Sequence, residues 1–256
     1  MNKKISVVLA VYNEEDNLSN CLNSIKDLAD EIVIVDGGST DKTIEIAKAF
    51  DAKVIKTDNP QIFHINKNKA IDGASEDWIL QLDADEVVTQ ELSKEIRQMV
   101  SKKFEIIGFW IPRKNFFLDR FLTKGGQYPD YTLRLYKKGE GRLPGRDVHE
   151  QAVVDGKVGY LKNDLLHLRD KNFAGYIERF NRYTNLLADQ IKESGVKIDL
   201  ISFINFIFLK PGFWFIKAYV RHRGYVDGFP GFVFALFSSL RFPVAYFKLW
   251  GKYKNL

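Results

Sequence analysis

Ile5-Ser6-Val7-Val8-Leu9-Ala10-Val11 is a near-continuous apolar run that empties directly into Tyr12-Asn13-Glu14-Glu15-Asp16. Such a run is the pattern of a strand buried on both faces, as in a parallel sheet. The polar cluster supplies capping side chains for a helix carrying Leu18, Leu22 and Ile25 at helical spacing. The unit then repeats. Ile32-Val33-Ile34-Val35 ends in Asp36-Gly37-Gly38-Ser39-Thr40-Asp41 before a helix through Ile44, Ile46 and Ala47, and Lys53-Val54-Ile55 is a third strand. A helix through Ile65, Ala70, Ile71 and Ala74 leads to a fourth strand, Ile79-Leu80-Gln81-Leu82, which meets Asp83-Ala84-Asp85-Glu86. Strands alternating with helices imply a parallel sheet covered on both faces, with ligands beyond the strands' carboxyl ends. The polar clusters at residues 12–14, 36–41 and 83–86 are therefore expected to converge on one crevice.

Within that crevice the acidic cluster is the most chemical. On an extended backbone residues i and i+2 share a side, so Asp83 and Asp85 are expected to aim oxygens at one point while Ala84 faces away. Mg²⁺ or Mn²⁺ takes such oxygens, commonly with substrate phosphates completing the shell. The plain alternative is a solvated acidic turn. The first strand lacks the glycine-rich turn of a dinucleotide fold, and no Gly-Lys-Ser/Thr phosphate loop occurs, which disfavours both of those enzyme types. Asp36 can accept hydrogen bonds from a base or ribose, or simply close a turn with Gly37-Gly38. With Lys67 nearby, the set suits a nucleoside diphosphate carried with its cation.

The ordered set Val11-Tyr12-Asn13-Glu14-Glu15, Val35-Asp36-Gly37-Gly38-Ser39-Thr40-Asp41, Lys67-Asn68-Lys69-Ala70 and Asp83-Ala84-Asp85-Glu86 resembles an inverting family 2 glycosyltransferase. That resemblance implies the GT-A fold, a Rossmann-like α/β mixed sheet flanked by helices, here followed by an aromatic and basic helical appendage. Arg113-Lys114-Asn115-Phe116-Phe117, Gly125-Gly126-Gln127-Tyr128-Pro129-Asp130, Leu133-Arg134-Leu135-Tyr136, Val148-His149-Glu150 and Val226-Asp227-Gly228 are similar to the lipopolysaccharide-core glucosyltransferase subgroup. By resemblance, Val11, Tyr12, Asn13, Glu14, Asp36, Gly38, Lys67, Asn68, Asp83 and Ala84 bind a UDP-sugar, with Asp36 on the uridine. Asp83 and Asp85 would hold Mg²⁺ or Mn²⁺, with His167 as a late ligand; a hydrogen-bonded core histidine is the alternative. A positioned base raises the reactivity of an acceptor hydroxyl by about 10²–10⁴-fold. Glu150 is the favoured base and Asp130 its rival. Arg134, inside a strand, is expected to face the acceptor or the diphosphate, with Tyr128 and His149 on the same side of the reaction.

Composition shifts near the end of the chain. The 256 residues carry a net charge of +5, and from Phe203 onward 8 Lys/Arg stand against one acid, Asp227, with 17 of the 35 aromatic residues. The apolar stretches 198–209 and 229–240, interrupted by Pro211, Gly212, Pro230 and Pro243, fall short of the ~20 residues a spanning helix needs. Amphipathic aromatic helices flanked by cations suit the plane of an anionic leaflet. Burial against the catalytic domain or a second copy of the chain is the competing use. No nucleic-acid recognition motif is present. A single cysteine, Cys21, excludes an intrachain disulfide and fits a reducing compartment.

The expected organisation is a catalytic domain over residues 1–192, with a donor half (1–100) and an acceptor half with a bridging helix (101–192), then a membrane-associating tail over 193–256. The expected activity is metal-dependent, inverting transfer from a UDP-sugar, glucose by analogy, to a glycolipid or lipid-linked glycan such as lipopolysaccharide core. The expected location is the cytoplasmic face of the inner membrane. Two other readings stand beside it: a nucleotidyltransferase that builds a sugar nucleotide, and a non-catalytic membrane adaptor retaining a nucleotide pocket.

Overall fold

The computed structural model describes residues 3–60, 63–102, 105–144 and 151–254. The chain divides into two compact units, Met1–Arg113 with Asp130–Leu168, and Lys114–Pro129 with Arg169–Leu256. In chain order the elements are β1 (Ile5–Val11), α1 (Leu18–Ile25), β2 (Glu31–Asp36), α2 (Thr43–Ala49), β3 (Lys53–Lys56), α3 (His64–Gly73), β4 (Trp78–Gln81), β5 (Glu86–Val88) and α4 (Gln90–Ser101). There follow β6 (Gly108–Phe117), β7 (Arg120–Phe121), β8 (Asp130–Lys137), β9 (Gly141–Arg142), β10 (Val153–Val154), β11 (Val158–Tyr160) and β12 (Leu165–Asp170). The last helices are α5 (Phe173–Glu193), α6 (Leu200–Ile204), α7 (Lys210–Phe215) and α8 (Gly228–Lys254).

In the first unit β1 pairs in parallel with both β2 and β4, and β3 extends the run beyond β2. β8 then joins β4 antiparallel and β6 joins β8 antiparallel, so the sheet is mixed. Alternation along β1 explains the two cores. Ile5, Val7, Leu9 and Val11 face a cluster with Leu18, Cys21, Leu22 and Ile25 of α1 and Leu92, Ile96 and Val100 of α4. Val8 turns to the other face, where Ala70 and Ile71 of α3 cover Val33, Val35 and Ile79. Each fully buried Leu or Ile in these layers contributes about 1.5–3 kcal/mol. With both faces covered, ligand access is left to the strand ends.

The second unit is built from α5 and α8, whose Ala188, Ile191, Ala245, Tyr246 and Leu249 share one core with Phe206. Because α5 packs on α8, the domain boundary expected after residue 192 falls inside this unit. Asn172 caps α5 through Gly175 N at 2.8 Å, and Asp199 caps α6 through Ser202 N at 2.8 Å.

The expectation that the tail helices are too short to span a bilayer is corrected. Leu200–Arg221 is one continuous rod of 22 residues, and the 31-residue stretch Gly224–Lys254 is one 3-10 turn followed by the 27 residues of α8, each stretch with a mean hydropathy of 1.4 over its most apolar window. Pro211 does not break the first, because the backbone widens into a π turn over Asn205–Leu209 immediately before it. The wider turn accommodates a residue that lacks an N–H and crowds the preceding carbonyl. Pro243 lies within α8 and leaves the rest of its ladder standing.

Candidate active site

The first two strand ends are laced to each other. Asn13 adopts a left-handed conformation at φ 53°, which its short side chain tolerates. Its N–H donates to Ser39 Oγ at 2.9 Å, and its Oδ1 accepts from Thr40 N at 2.8 Å. Glu14 N donates to Thr43 Oγ1 at 2.7 Å and Glu15 N to Asp41 Oδ2 at 3.1 Å. Asp36 is buried at the tip of β2, where its carboxylate accepts from Gly38 N at 3.0 Å and Ser39 N at 3.1 Å. Gly38, at φ +87°, gives the turn the positive φ it needs to bring those amides round. Val11 is buried beneath this rim and Tyr12 is exposed on it.

The third strand end differs from the extended geometry expected of it. β4 stops at Gln81, and Asp83 to Glu86 form a turn closed by Glu86 N donating to Asp83 O at 3.0 Å. Alternation no longer applies in a turn, and the two aspartates meet different partners. Ala84 is buried between them. Asp85 Oδ2 lies 3.4 Å from His167 Nε2, which β12 presents opposite Glu86 of β5. Asp83 shares one oxygen with Lys67 Nζ and the other with Arg134 Nη2 at 2.6 Å.

From Asp83 a row of alternating charges runs through the unit. Arg134 Nη2 also reaches Glu86 Oε1 at 2.9 Å, and Glu86 Oε2 accepts from Asp83 N at 2.9 Å. Arg113 Nη1 approaches Glu86 at 3.4 Å, while its Nε and Nη2 hold Asp130 Oδ2 at 3.0 and 2.7 Å. Burial alone would push the Asp83 carboxyl up, but Arg134 and Lys67 hold it well below the usual carboxylate range. Burial draws the Lys67 ammonium below an ordinary lysine, Arg134 adding to the effect and Asp83 opposing it. For Arg113, Glu86 and Asp130 outweigh burial and hold the guanidinium firmly charged. Buried Cys21 donates to Asp83 O at 3.6 Å; burial first, then Glu86, Asp85 and Asp83, push its thiol well up. It is a core thiol rather than a nucleophile.

Among the described residues no three or more His, Cys, Asp or Glu side chains gather as a cation cage. Asp85 and His167 offer one oxygen and one nitrogen donor, each partly exposed. That set fits a divalent ion whose remaining positions go to phosphate oxygens and water. Two cations, Lys67 and Arg134, meet at one neighbouring carboxylate, the kind of arrangement that stabilises charge developing on a phosphate.

The other expected residues scatter more. Asn68 is tied to the backbone of Leu143 by two hydrogen bonds of 2.9 and 3.1 Å, which gives it a structural duty. Tyr128 belongs to the second unit, where its ring lies 5.9 Å from Lys114 Nζ. His149 and Glu150 lie outside the described residues. Sequence reasoning gave no role to Glu86 or Arg113, which with Arg134 join Asp83 to Asp130. The available signal was a charge inside a strand: both, like Arg134, sit within β elements where an unpaired ion would be costly.

The sequence profile described as Glycosyl transferase family 2 matches residues 6–152. The lipopolysaccharide core biosynthesis glycosyltransferase LpsC of Rhizobium meliloti is 31% identical over 246 residues, covering 92% of this chain and 88% of that protein. An uncharacterized glycosyltransferase of Rickettsia typhi is 29% identical over 267 residues, covering 99% and 88%. Among solved structures, residues 1–349 of S. aureus TarS superpose with a TM-score of 0.51 at 15% identity, over 99% of this chain and 92% of that one. With the mixed sheet, its flanking helices and the converging strand-end loops, these similarities identify the chain as a member of glycosyl transferase family 2, a glycosyltransferase of the GT-A fold.

Proposed function

We propose that the protein transfers a sugar, glucose by analogy, from a UDP-sugar to a membrane-linked glycan such as lipopolysaccharide core, with inversion at the anomeric carbon and with Mg²⁺ or Mn²⁺ bound. The observation that carries this reading is the Asp85–His167 pair, 3.4 Å apart beside the Lys67–Asp83–Arg134 group. The uridine takes the rim formed by Val11, Tyr12, Asn13, Glu14, Asp36 and Gly38, and the ribose and diphosphate lie along Lys67, Asp83 and Ala84. Asp85 and His167 hold the divalent ion, which when bound supplies charge stabilisation to the departing diphosphate. Lys67 and Arg134 add fixed positive charge there, and Asp83 keeps both in place. Glu150 takes the proton of the acceptor hydroxyl. Arg113 grips Asp130, which supports an orienting part for that carboxylate rather than the part of base.

The second unit is assigned to the cytoplasmic face of the inner membrane. Leu200, Ile201, Ile204, Phe208, Leu209 and Phe213 are exposed along one rod. Lys210 stands near the midpoint of that 22-residue rod. A charge at the bilayer centre costs about 2.5–3.5 kcal/mol or more, so the rod favours the interfacial plane over a crossing.

UDP release from UDP-glucose with Mn²⁺, measured with and without acceptor glycolipid, tests the catalytic reading. Asp85→Asn should lower kcat by at least about 10²-fold. Turnover that survives both Asp85→Asn and chelation sinks the metal assignment. Pyrophosphate released from UTP and a sugar phosphate would instead favour nucleotidyl transfer.

A further inference from the structure

The second unit contains a cavity of about 200 Å³ between α5 and α8, lined by Tyr176, Phe180, Phe234 and Phe237 and bordered by Arg179 and Arg241. The two arginines are in different states. Arg179 is paired with Asp170 and stacks over Tyr176 at 5.5 Å, so its charge is met. Arg241 lies 4.6 Å from the Trp214 ring and 4.8 Å from Phe242, and it forms no ion pair among the described residues. Ring faces meet a guanidinium's charge, but they are poor acceptors for its five N–H donors. A half-buried aromatic wall with an arginine of that kind at its rim calls for a ligand that is apolar over most of its length and anionic at one end.

We propose that this cleft binds the phosphate end of an anionic phospholipid, with Arg241 on the phosphate and the aromatic wall against the first carbons of its chains. A whole drug-sized ligand occupies about 300–1,000 Å³, so the cavity takes one end of a lipid and leaves the rest outside. Ser238, which also lines the cleft, adds a hydroxyl beside Arg241. Charge complementarity favours a lipid phosphate over a zwitterionic or neutral partner, because the segment from Phe203 onward holds 8 Lys/Arg and its one acid, Asp227, is already bonded to Thr123 and Lys124. The inference rests on the membrane-surface reading only for where the lipid comes from.

The test uses the full chain and dihexanoyl phosphatidic acid kept below its micelle concentration, so no bilayer is needed. Calorimetric titration should saturate, and Arg241→Gln should weaken binding by about tenfold or more, the loss expected for a charge-assisted contact. Ser238→Trp, which fills the cleft from a position that carries no charge, should weaken it as well; it decides the matter if Arg241→Gln fails to fold by circular dichroism. Flotation on phosphatidylglycerol vesicles should fall little in either variant, because the 200–221 rod carries that association. Saturable binding without vesicle flotation would remove the membrane-surface reading and leave the cleft assignment intact. Absence of saturation, full binding by either folded variant, or equal affinity for inorganic phosphate or dihexanoyl glycerol would overturn the proposal.

Discussion

In the first unit Lys67, Arg134 and Arg113 each meet a carboxylate, whereas in the second Lys210, Lys217 and Arg241 meet the rings of Phe206, Trp214 and Phe242 at 3.6 to 4.8 Å. The carboxylates cancel charge and fix hydrogen bonds; the rings do neither fully. A row of ion pairs positions side chains for chemistry, since each inner member is held by two neighbours. Cations seated on rings gain about 0.5–1 kcal/mol at exposed sites and keep their outward field. One unit is therefore organised around its own charges, and the other retains positive charge for something outside itself.

Breaking the first row should give the largest effect on stability. Arg134→Leu leaves Asp83 and Glu86 facing each other without the guanidinium that separates them, and removing one partner of a buried pair costs about 3–5 kcal/mol. A urea titration should show a midpoint lowered accordingly with little change in slope. Adding Glu86→Gln should cost less than the sum of the single changes, because both act on one network. Strict additivity would show that the row is a set of independent contacts.

The second unit offers the reverse case, an acid among cations. Asp227 is buried and accepts from Thr123 N at 3.0 Å, Thr123 Oγ1 at 2.7 Å and Lys124 N at 2.8 Å, so it fixes the segment leading into Gly125-Gly126-Gln127-Tyr128. Asp227→Ala should cost about 2–3 kcal/mol, the value of charge-assisted bonds together with a stranded amide. Limited proteolysis should then cut near residues 123–128 sooner than in the parent. Unchanged cleavage there would mean that Gly125 N on His222 O, at 2.9 Å, is enough to hold the loop.

The contrast between the units also marks what could be read from the chain. β1, β2 and β4 were legible because their apolar runs are short and end in polar clusters, and α1 and α2 because their apolar residues repeat at helical spacing. The different partners of Asp83 and Asp85 were not legible. Whether a strand continues for two more residues depends on the i+3 turn bond at Asp83 and on Lys67 and Arg134, which come from α3 and β8. The length of the tail helices escaped for a different reason. Pro and Gly were read as stops, yet backbone widening before Pro211 lets the rod continue, a tertiary accommodation that local propensity does not encode.

The smallest effect on stability is expected where exposure is greatest. Ile201 is 80% exposed and Leu200 71%, and a substitution there that disturbs no packing should change folding stability by no more than about 0.5 kcal/mol. Ile201→Glu should nonetheless weaken vesicle association, because burying an isoleucine in the interface contributes about 1.5–3 kcal/mol, or roughly tenfold or more in partition. The added carboxylate also opposes an anionic surface, so the loss should grow with the phosphatidylglycerol content of the vesicles and shrink in high salt. If this face instead met a second copy of the chain, the same substitution would lower the sedimentation coefficient and leave partitioning untouched. The salt dependence separates these outcomes more cleanly than the size of the loss, because an apolar contact between two copies would be nearly insensitive to ionic strength while a cation-bearing rod on an anionic leaflet would not.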